Sequence, residues 1–479
     1  MLRRTSAALR PGGRIPCLRA TIRAPLGRPG VITGLAALVA AVLGAATAYK
    51  PIVGVGGLLA ILYVPLLLLD LQAALAAWVV LLFLSGLPGL GGAPSAVALL
   101  VLLAWLAAVR PNRADIRAMA VGHRAILVSI VLFLGWVALS MTWATSPSDA
   151  MQDVKNWLIA GATFVVVATS VRSPRGTALL AGGFIAGAFA AVLAGLALTG
   201  LHPAVSAINS AADVRLSTGA TDPNYLAATL VAALAMSGGL ALWRREAWVR
   251  LLLACAAPVL LYGLIATQSR GGLIAAATAI LVATVLLPTQ RRKILAALIP
   301  IIALMALFFT VNPEAYNRLS QQDSGGDGRT ELWRIAWRIA EDHPLIGVGV
   351  NNFVAREQAY VLRVGSLEHA QQLVIDDPKV VHNMYLQMLA ETGIIGLTLF
   401  VTMIVALLRA TYRAAQELER VGATDAATFA RSVLVAQLAM LTASAFLSNG
   451  PDRRYWVLFA LGPALWAIAR SSALNRSPG

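Results

Sequence analysis

Acidic residues are scarce in this chain: 22 Asp and Glu stand against 38 Lys and Arg in 479 residues, and charged side chains of both signs make up only 13%. With 58% hydrophobic residues and a mean hydropathy of +0.75, that shortage excludes a water-soluble globular protein. Cysteine is nearly absent too. Cys17 lies in a basic N-terminal stretch and Cys255 inside an apolar run. Two thiols so placed exclude a disulfide framework and give too few soft ligands for a metal site. The first thirty residues carry seven arginines and no acid, and the first apolar run starts at Val31 without a small-residue cleavage site behind it. That pattern predicts a retained cytoplasmic tail, not a cleaved signal.

What the chain has in abundance is apolar runs of roughly 16 to 23 residues, the length a bilayer requires. Fourteen are legible: 31–48, 52–69, 71–87, 93–109, 125–143, 156–171, 177–199, 224–243, 251–268, 271–288, 294–311, 392–408, 432–447 and 455–470. Some are short, and the pair around Asp70 reads equally as one bent hairpin, so the predicted fold class is an all-α polytopic membrane protein with about 12–14 transmembrane helices. Basic residues fix the orientation. With the arginine-rich tail inside, every even-numbered exit should be cytoplasmic, and each one after Asp70 carries arginine or lysine: Arg110 to Arg124, Arg172 and Arg175, Arg244 to Arg250, Arg291 to Lys293, Arg409 to Arg431, and Arg470 with Arg476. The net charge of +16 is therefore chiefly a topology signal, with attraction to anionic lipid headgroups as a by-product, and does not point to nucleic acid.

The organisation that follows is a cytoplasmic tail (1–30), a transmembrane bundle (31–311), an external loop of short helices (312–391), C-terminal transmembrane helices (392–470) and a second cytoplasmic tail (471–479). In the long external loop a Gly/Asp-rich turn leads into a helix predicted over about 330–341, with Trp333 and Trp337 on one broad apolar face. It either lies in the interface or packs on the bundle. Pro344 ends it. The stretch "GVGVNN" lacks the preceding strand and third glycine of a nucleotide loop. A second polar helix is expected from Asn352 to about Val364, and "DDPKVVHN" returns the chain to the membrane at His382.

Arg215, Arg270, Arg453 and Arg454 break the charge rule by lying outside. Permanently charged guanidiniums suit phosphate recognition through paired hydrogen bonds. A neutral imidazole near its ordinary pKa suits proton abstraction from a hydroxyl. Topology puts His382, Arg215, Arg270 and Arg329 on one side of the membrane, near helix entrances. The bland alternatives are snorkelling or capping arginines and a packed histidine beside a capping Asn383. Asp222 is placed to cap a helix that has Pro223 at its first position, which would hold the Arg215 loop.

"SRGG" at 269–272, "GRTELWRIAWRIAEDHPLIGVGVNNF" at 328–353, "HNMYLQMLAETGIIGL" at 382–397 and, upstream, "DPNYLA" at 222–227 together resemble the O-antigen ligase and polymerase superfamily of bacterial envelope proteins. The resemblance covers roughly residues 220–400 and rests on the order and spacing of the motifs. It implies a glycosyltransferase of the bacterial inner membrane that needs no metal or other cofactor. The donor would be a glycan on undecaprenyl diphosphate, and the acceptor a lipid or saccharide hydroxyl on the external face. By the same resemblance Arg215, Arg270 and Arg329 would hold the diphosphate and His382 would activate the acceptor, with Asp222, Asn224 and Asn383 in support. Direct displacement would invert the anomeric centre. The missing Asp-x-Asp pair, which usually holds a metal on a nucleotide sugar, agrees. A transporter of lipid-linked sugars is the rival, but transporters place ionisable groups near the midplane, and none of the fourteen runs has Asp, Glu, Lys, Arg or His in its interior.

The orientation is testable by cysteine labelling with an impermeant reagent after Cys17 and Cys255 are replaced by serine. Arg420→Cys should react only in permeabilised cells and Arg356→Cys in intact spheroplasts. Labelling of position 420 from outside would invert the topology.

Overall fold

The computed structural model describes residues 63–109, 122–199, 215–219, 221–313, 315–316, 329–361 and 380–474, with Gly57 and Ile61 before them. Residues 64–479 form one compact unit and residues 1–63 another. The basic tail, Cys17, the run 31–48, most of 52–69, the Gly/Asp-rich turn and the last residues of the chain fall outside the described residues.

The described chain is helical throughout. Asp70 breaks off helical residues before it and caps α1 (Leu71–Phe83) by accepting from the amides of Gln72 and Ala73, each at 3.1 Å. There follow α2 (Ala93–Val109), α3 (Arg124–Ser140), α4 (Pro147–Ser170), α5 (Pro174–Thr199), α6 (Pro223–Trp243), α7 (Ala247–Ala266), α8 (Arg270–Leu286) and α9 (Arg291–Val311). Pro147, Pro174 and Pro223 each open a helix, where a missing N–H has no consequence. The segment between α9 and the next long helix contributes α10 (Arg329–Asp342) and α11 (Phe353–Val361), and there follow α12 (Met384–Arg420), α13 (Thr424–Ala443) and α14 (Arg453–Leu474).

Among the described residues seven spans are long and apolar enough to cross a membrane: Arg124–Trp143, Pro174–Leu198, Pro223–Trp243, Ala247–Ala266, Pro288–Val311, Met384–Arg420 and Thr424–Phe446. The apolar helices α1, α2 and α8 are shorter. Together with α4 and α14 these account for the runs from 71–87 onward. The chain is thus an all-α, multi-pass membrane protein. Two boundaries differ from the hydropathy reading. Helix α4 begins at Pro147, so Asp149, Asp153 and Lys155 are helical rather than loop residues. Helix α12 begins at Met384, eight residues before its apolar run, and is broken at Gly393.

Contacts between connecting segments sort into two groups. Gln72 donates to the Ser170 carbonyl (2.9 Å) and accepts from Ser173, Arg175 pairs with Asp70 (2.8 Å), and Arg245 pairs with Asp425 (2.8 Å). His123 stacks edge-on against Trp466, and burial, followed by the nearby Arg172 and Arg470, pushes its pKa down to about 4. All of these lie at even-numbered exits. At the other end Arg356 donates to Thr145, Arg453 to Ser95 and Tyr225 to the carbonyl of Ser448. All of those lie at odd-numbered exits. This sorting is what the alternation of fourteen runs requires.

In lipid, apolar side chains supply little drive for helix association, and small residues let backbones approach. A β-carbon on Gly183 of α5 would sit 2.5 Å from the Ala76 carbonyl oxygen of α1. Phe133 of α3, Trp157 of α4, Phe400 of α12 and Trp456 of α14 form a buried aromatic cluster. By contrast α9 turns its apolar side chains outward, towards lipid.

The break in α12 decides where the external loop lies. Gly393 has φ +67° and ψ −173°, which frees the carbonyls before it and the amides after it. Residues 344–351 bind them. The amides of Val348 and Gly349 donate to the carbonyls of Ala390 (3.1 Å) and Glu391 (2.8 Å), and those of Ile394 and Ile395 donate to Pro344 (2.8 Å) and Leu345 (3.4 Å). The Trp136 indole takes the carbonyl of Thr392 at 3.0 Å. The buried Glu391 carboxylate accepts from the Asn351 amide (2.9 Å) and the Gln387 side chain (3.1 Å). "GVGVNN" is therefore a strap across a broken helix. Beyond it, Leu332, Ile335, Ala336 and Ile339 of α10 are buried with Phe353, Tyr360 and Val381, so α10 packs on the bundle and only Trp337 of its tryptophans is exposed.

A β-carbon at Gly393 would collide with the carbonyl of Leu345 and sit at a forbidden φ. Gly393→Ala should lower stability by about 2 kcal/mol or more, read as loss of the monodisperse peak in fluorescence-detected chromatography. Gly182→Ala, with open space around it, should behave as wild type. A normal peak for both variants would show that the strap tolerates an unbroken α12.

Candidate functional site

The site is built where α6, α8 and α12 begin. Asp222 caps α6 through the Asn224 amide (2.7 Å), as its position before Pro223 predicts. The buried Asn224 side-chain oxygen accepts two bonds, from an Arg215 terminal nitrogen and from the Ser269 hydroxyl, both at 2.7 Å. Arg215 Nε donates to the Thr267 carbonyl at 2.8 Å, so this guanidinium also caps the C-terminus of α7, a favourable place for a cation. Ser269 accepts from the Gly272 amide and caps α8. Arg270, the first residue of α8, stands exposed at that positive helix end. Asn224 thus joins the Arg215 loop to the head of the Arg270 helix.

His382 lies two residues before α12, half-buried, in a left-handed conformation with φ +52°. Such a conformation is costly for a non-glycine residue and must be imposed by its surroundings. Four bonds impose it. The Trp333 indole holds the carbonyl of Val381 (3.1 Å), the His382 amide donates to Ser448 Oγ (3.1 Å), and Asn383 caps α12 by accepting from Tyr385 and Leu386 (3.1 Å each). The sequence reading placed His382 at the start of the helix. The structure gives that capping role to Asn383 and sets His382 in the turn before it.

Ser448 links the two halves. Its carbonyl accepts from the Tyr225 hydroxyl and its Oγ from His382, so the neighbour of Asn224 and the candidate base meet on one residue. Phe446, two residues earlier, packs on Gly271 and lies 6.4 Å from the Trp333 ring. Arg329 is one helical turn before Trp333 on the same face of α10. Among the described residues no hydrogen bond or ion pair ties Arg329 directly to Arg215 or Arg270. What links α10 to the head of α8 is the ring contact of Trp333 with Phe446.

The loop 448–452 is itself fixed. Trp456 donates to the Gly450 carbonyl (3.0 Å), and Gly450 presses against Trp157 so closely that a β-carbon would stand 2.5 Å from the indole. Asp452 is clamped by Arg454 at 2.6 and 3.1 Å. Burial raises its pKa, but the Arg454 guanidinium outweighs that and holds the carboxyl below its usual 3.8. The pair's contribution is therefore complete above that pH and is lost only as acidity passes the lower folded value. Among the described residues no group of three His, Cys, Asp or Glu side chains could hold a metal ion.

Tyr225, Ser269 and Ser448 are the residues the sequence reading missed. Tyr225 and Ser269 sit inside motifs quoted above, and Ser448 stands in the same loop as Arg453 and Arg454. The usable signal was a hydroxyl or amide at an external helix end, where lipid offers no alternative partner.

Asn224→Leu removes the acceptor shared by Arg215 and Ser269. A loss of about 2 to 3 kcal/mol follows, visible as a lower melting temperature of the purified protein. Asn224→Asp, which keeps the acceptor, should retain stability. Equal melting temperatures for wild type and Asn224→Leu would show that Arg215 is held by other bonds.

No curated protein matches the chain. Residues 255–401 match the family model described as O-antigen ligase. The match takes in Arg270, Arg329, the strap, His382 and the break at Gly393, and it leaves Arg215, Asn224 and Ser448 outside. On that match residues 255–401 are similar to an O-antigen ligase domain.

Proposed function

We propose that the protein is an O-antigen ligase-like glycosyltransferase of the bacterial inner membrane. It moves a glycan from undecaprenyl diphosphate to an acceptor hydroxyl on the external face, where the family also includes polymerases that use a growing chain as acceptor. The observation that supports this reading is Ser448, whose hydroxyl accepts from the His382 amide and whose carbonyl accepts from Tyr225, so that the His382 turn is tied to the helix head that carries Asn224.

In this reading Arg270, at the positive end of α8, and Arg329 stabilise the negative charge that grows on the leaving diphosphate. Arg215 has two nitrogens engaged with Thr267 and Asn224. Its share is to position the cluster and add long-range positive potential. His382 takes the proton of the acceptor hydroxyl as the hydroxyl oxygen attacks the anomeric carbon. The bond to the diphosphate oxygen breaks with its electron pair leaving on phosphate. One displacement inverts the anomeric centre. A diphosphate leaves readily, so alignment and charge stabilisation are the main tasks.

The test uses purified protein in nanodiscs with lipid-linked glycan and acceptor. His382→Ala should cut transfer by roughly two to four orders of magnitude while the melting temperature and donor binding hold. Arg270→Lys and Arg329→Lys keep the charge but lose the planar fork, and should cost tenfold or more, in line with about 1.5 to 3 kcal/mol for a charged hydrogen bond. Transfer by well-folded His382→Ala within a few fold of wild type would refute the base assignment. Identifying the molecule that carries the transferred glycan separates ligase from polymerase.

A further inference from the structure

Beside the site lies a cavity of about 370 Å³, between the α1–α2 turn, α4 and the loop before α14, with Ser95, Asn156, Tyr225, Asn449, Arg453 and Arg454 among its walls. That volume is in the range of small-molecule sites. Its charge is simple to assign. Arg454 is engaged with Asp452, and the two cancel. Arg453 gives one donor to Ser95 Oγ (2.9 Å), and its guanidinium remains the net charge of the cavity. A lone cation on a polar wall calls for an anion.

A second observation is independent of charge. Asn449 is 4% exposed, yet its side-chain oxygen accepts no hydrogen bond. A buried amide oxygen in that state carries a desolvation penalty that a donor from a bound molecule would remove. Asn156, Ser95 and Tyr225 supply further polar surface. A group with several hydroxyls and one acidic substituent satisfies all of these requirements at once.

The cavity also has an address. Ser448 and Tyr225 belong to its wall, and Ser448 Oγ accepts the His382 amide. The cavity therefore shares Ser448 with the turn that carries His382.

We propose that this cavity is the acceptor subsite and takes a saccharide with an acidic substituent, phosphate or carboxylate, which pairs with Arg453 while a hydroxyl donates to Asn449 Oδ1. The assignment to acceptor rests on His382 as the base. The binding chemistry does not.

Ligand-observed NMR on the purified full-length chain in detergent tests it with glucose 6-phosphate, glucuronate and glucose. One or both acidic sugars should bind at least tenfold more tightly than glucose, and which of them does so identifies the substituent. Arg453→Gln should abolish the preference, Arg453→Lys should keep part of it, and Asn449→Leu should weaken every sugar. Equal binding of glucose and the acidic sugars by wild-type protein would overturn the proposal. So would a preference lost in Arg270→Gln but retained in Arg453→Gln, which would place the anion at the diphosphate arginines. Acidic-sugar binding together with full transfer by His382→Ala would leave the subsite standing and remove the base. No binding together with an inactive His382→Ala would do the reverse.

Discussion

Inside a bilayer a backbone amide or carbonyl without a partner costs several kcal/mol, because no water is present to take its place. The described architecture follows from how the chain meets that demand at the break in α12. A glycine at 393 interrupts the helix, and the freed groups on both sides are taken up by residues 344–351 and by Trp136. The external loop is thereby attached to the bundle through main-chain bonds that no side-chain substitution can imitate. The same strap reaches further. Asn352 exchanges bonds with Ser146, the Asn351 side chain donates to the Asp149 carbonyl and the Val350 amide donates to Ser140 Oγ, so the turn between α3 and α4 is held by it as well.

The strap and the loop 448–452 divide the work of building the site. The strap fixes the direction of the turn of α12 that follows His382. The 448–452 loop, gripped by Trp157 and Trp456, supplies the hydroxyl that holds the His382 backbone. Each is anchored in a different part of the interior, one on polar main chain and the other on aromatic rings. A histidine in a left-handed turn can persist only between two such supports.

Much of this was legible in the sequence because single physical rules governed it. Bilayer thickness set the runs, arginine placement set their alternation, and Asp222 before Pro223 announced a helix start. The ends of α10 came within a residue because amphipathic periodicity and Pro344 bound it. The strap was not legible, since "GVGVNN" and "AETG" are forty residues apart and their pairing is made by backbone atoms that all residues share. The bonds that Asn383 and Arg215 make to helix ends were not legible for a related reason: a capping amide or guanidinium looks in sequence like one poised for a ligand. The cavity beside Asn449 escaped because its walls come from segments hundreds of residues apart.

The ties at the two ends of the bundle have a mechanical meaning. Helices α1 and α4 are bonded to neighbours through Gln72 and Ser170 at one end, while α2 and α14 are joined through Ser95 and Arg453 at the other. Helices secured in this way cannot slide along their axes to match a thinner or thicker membrane. The apolar height of the bundle is therefore set by the protein, and the surrounding lipid must stretch or compress to meet it. Activity across bilayers of different acyl length should then report lipid deformation rather than any change in the spacing of the site.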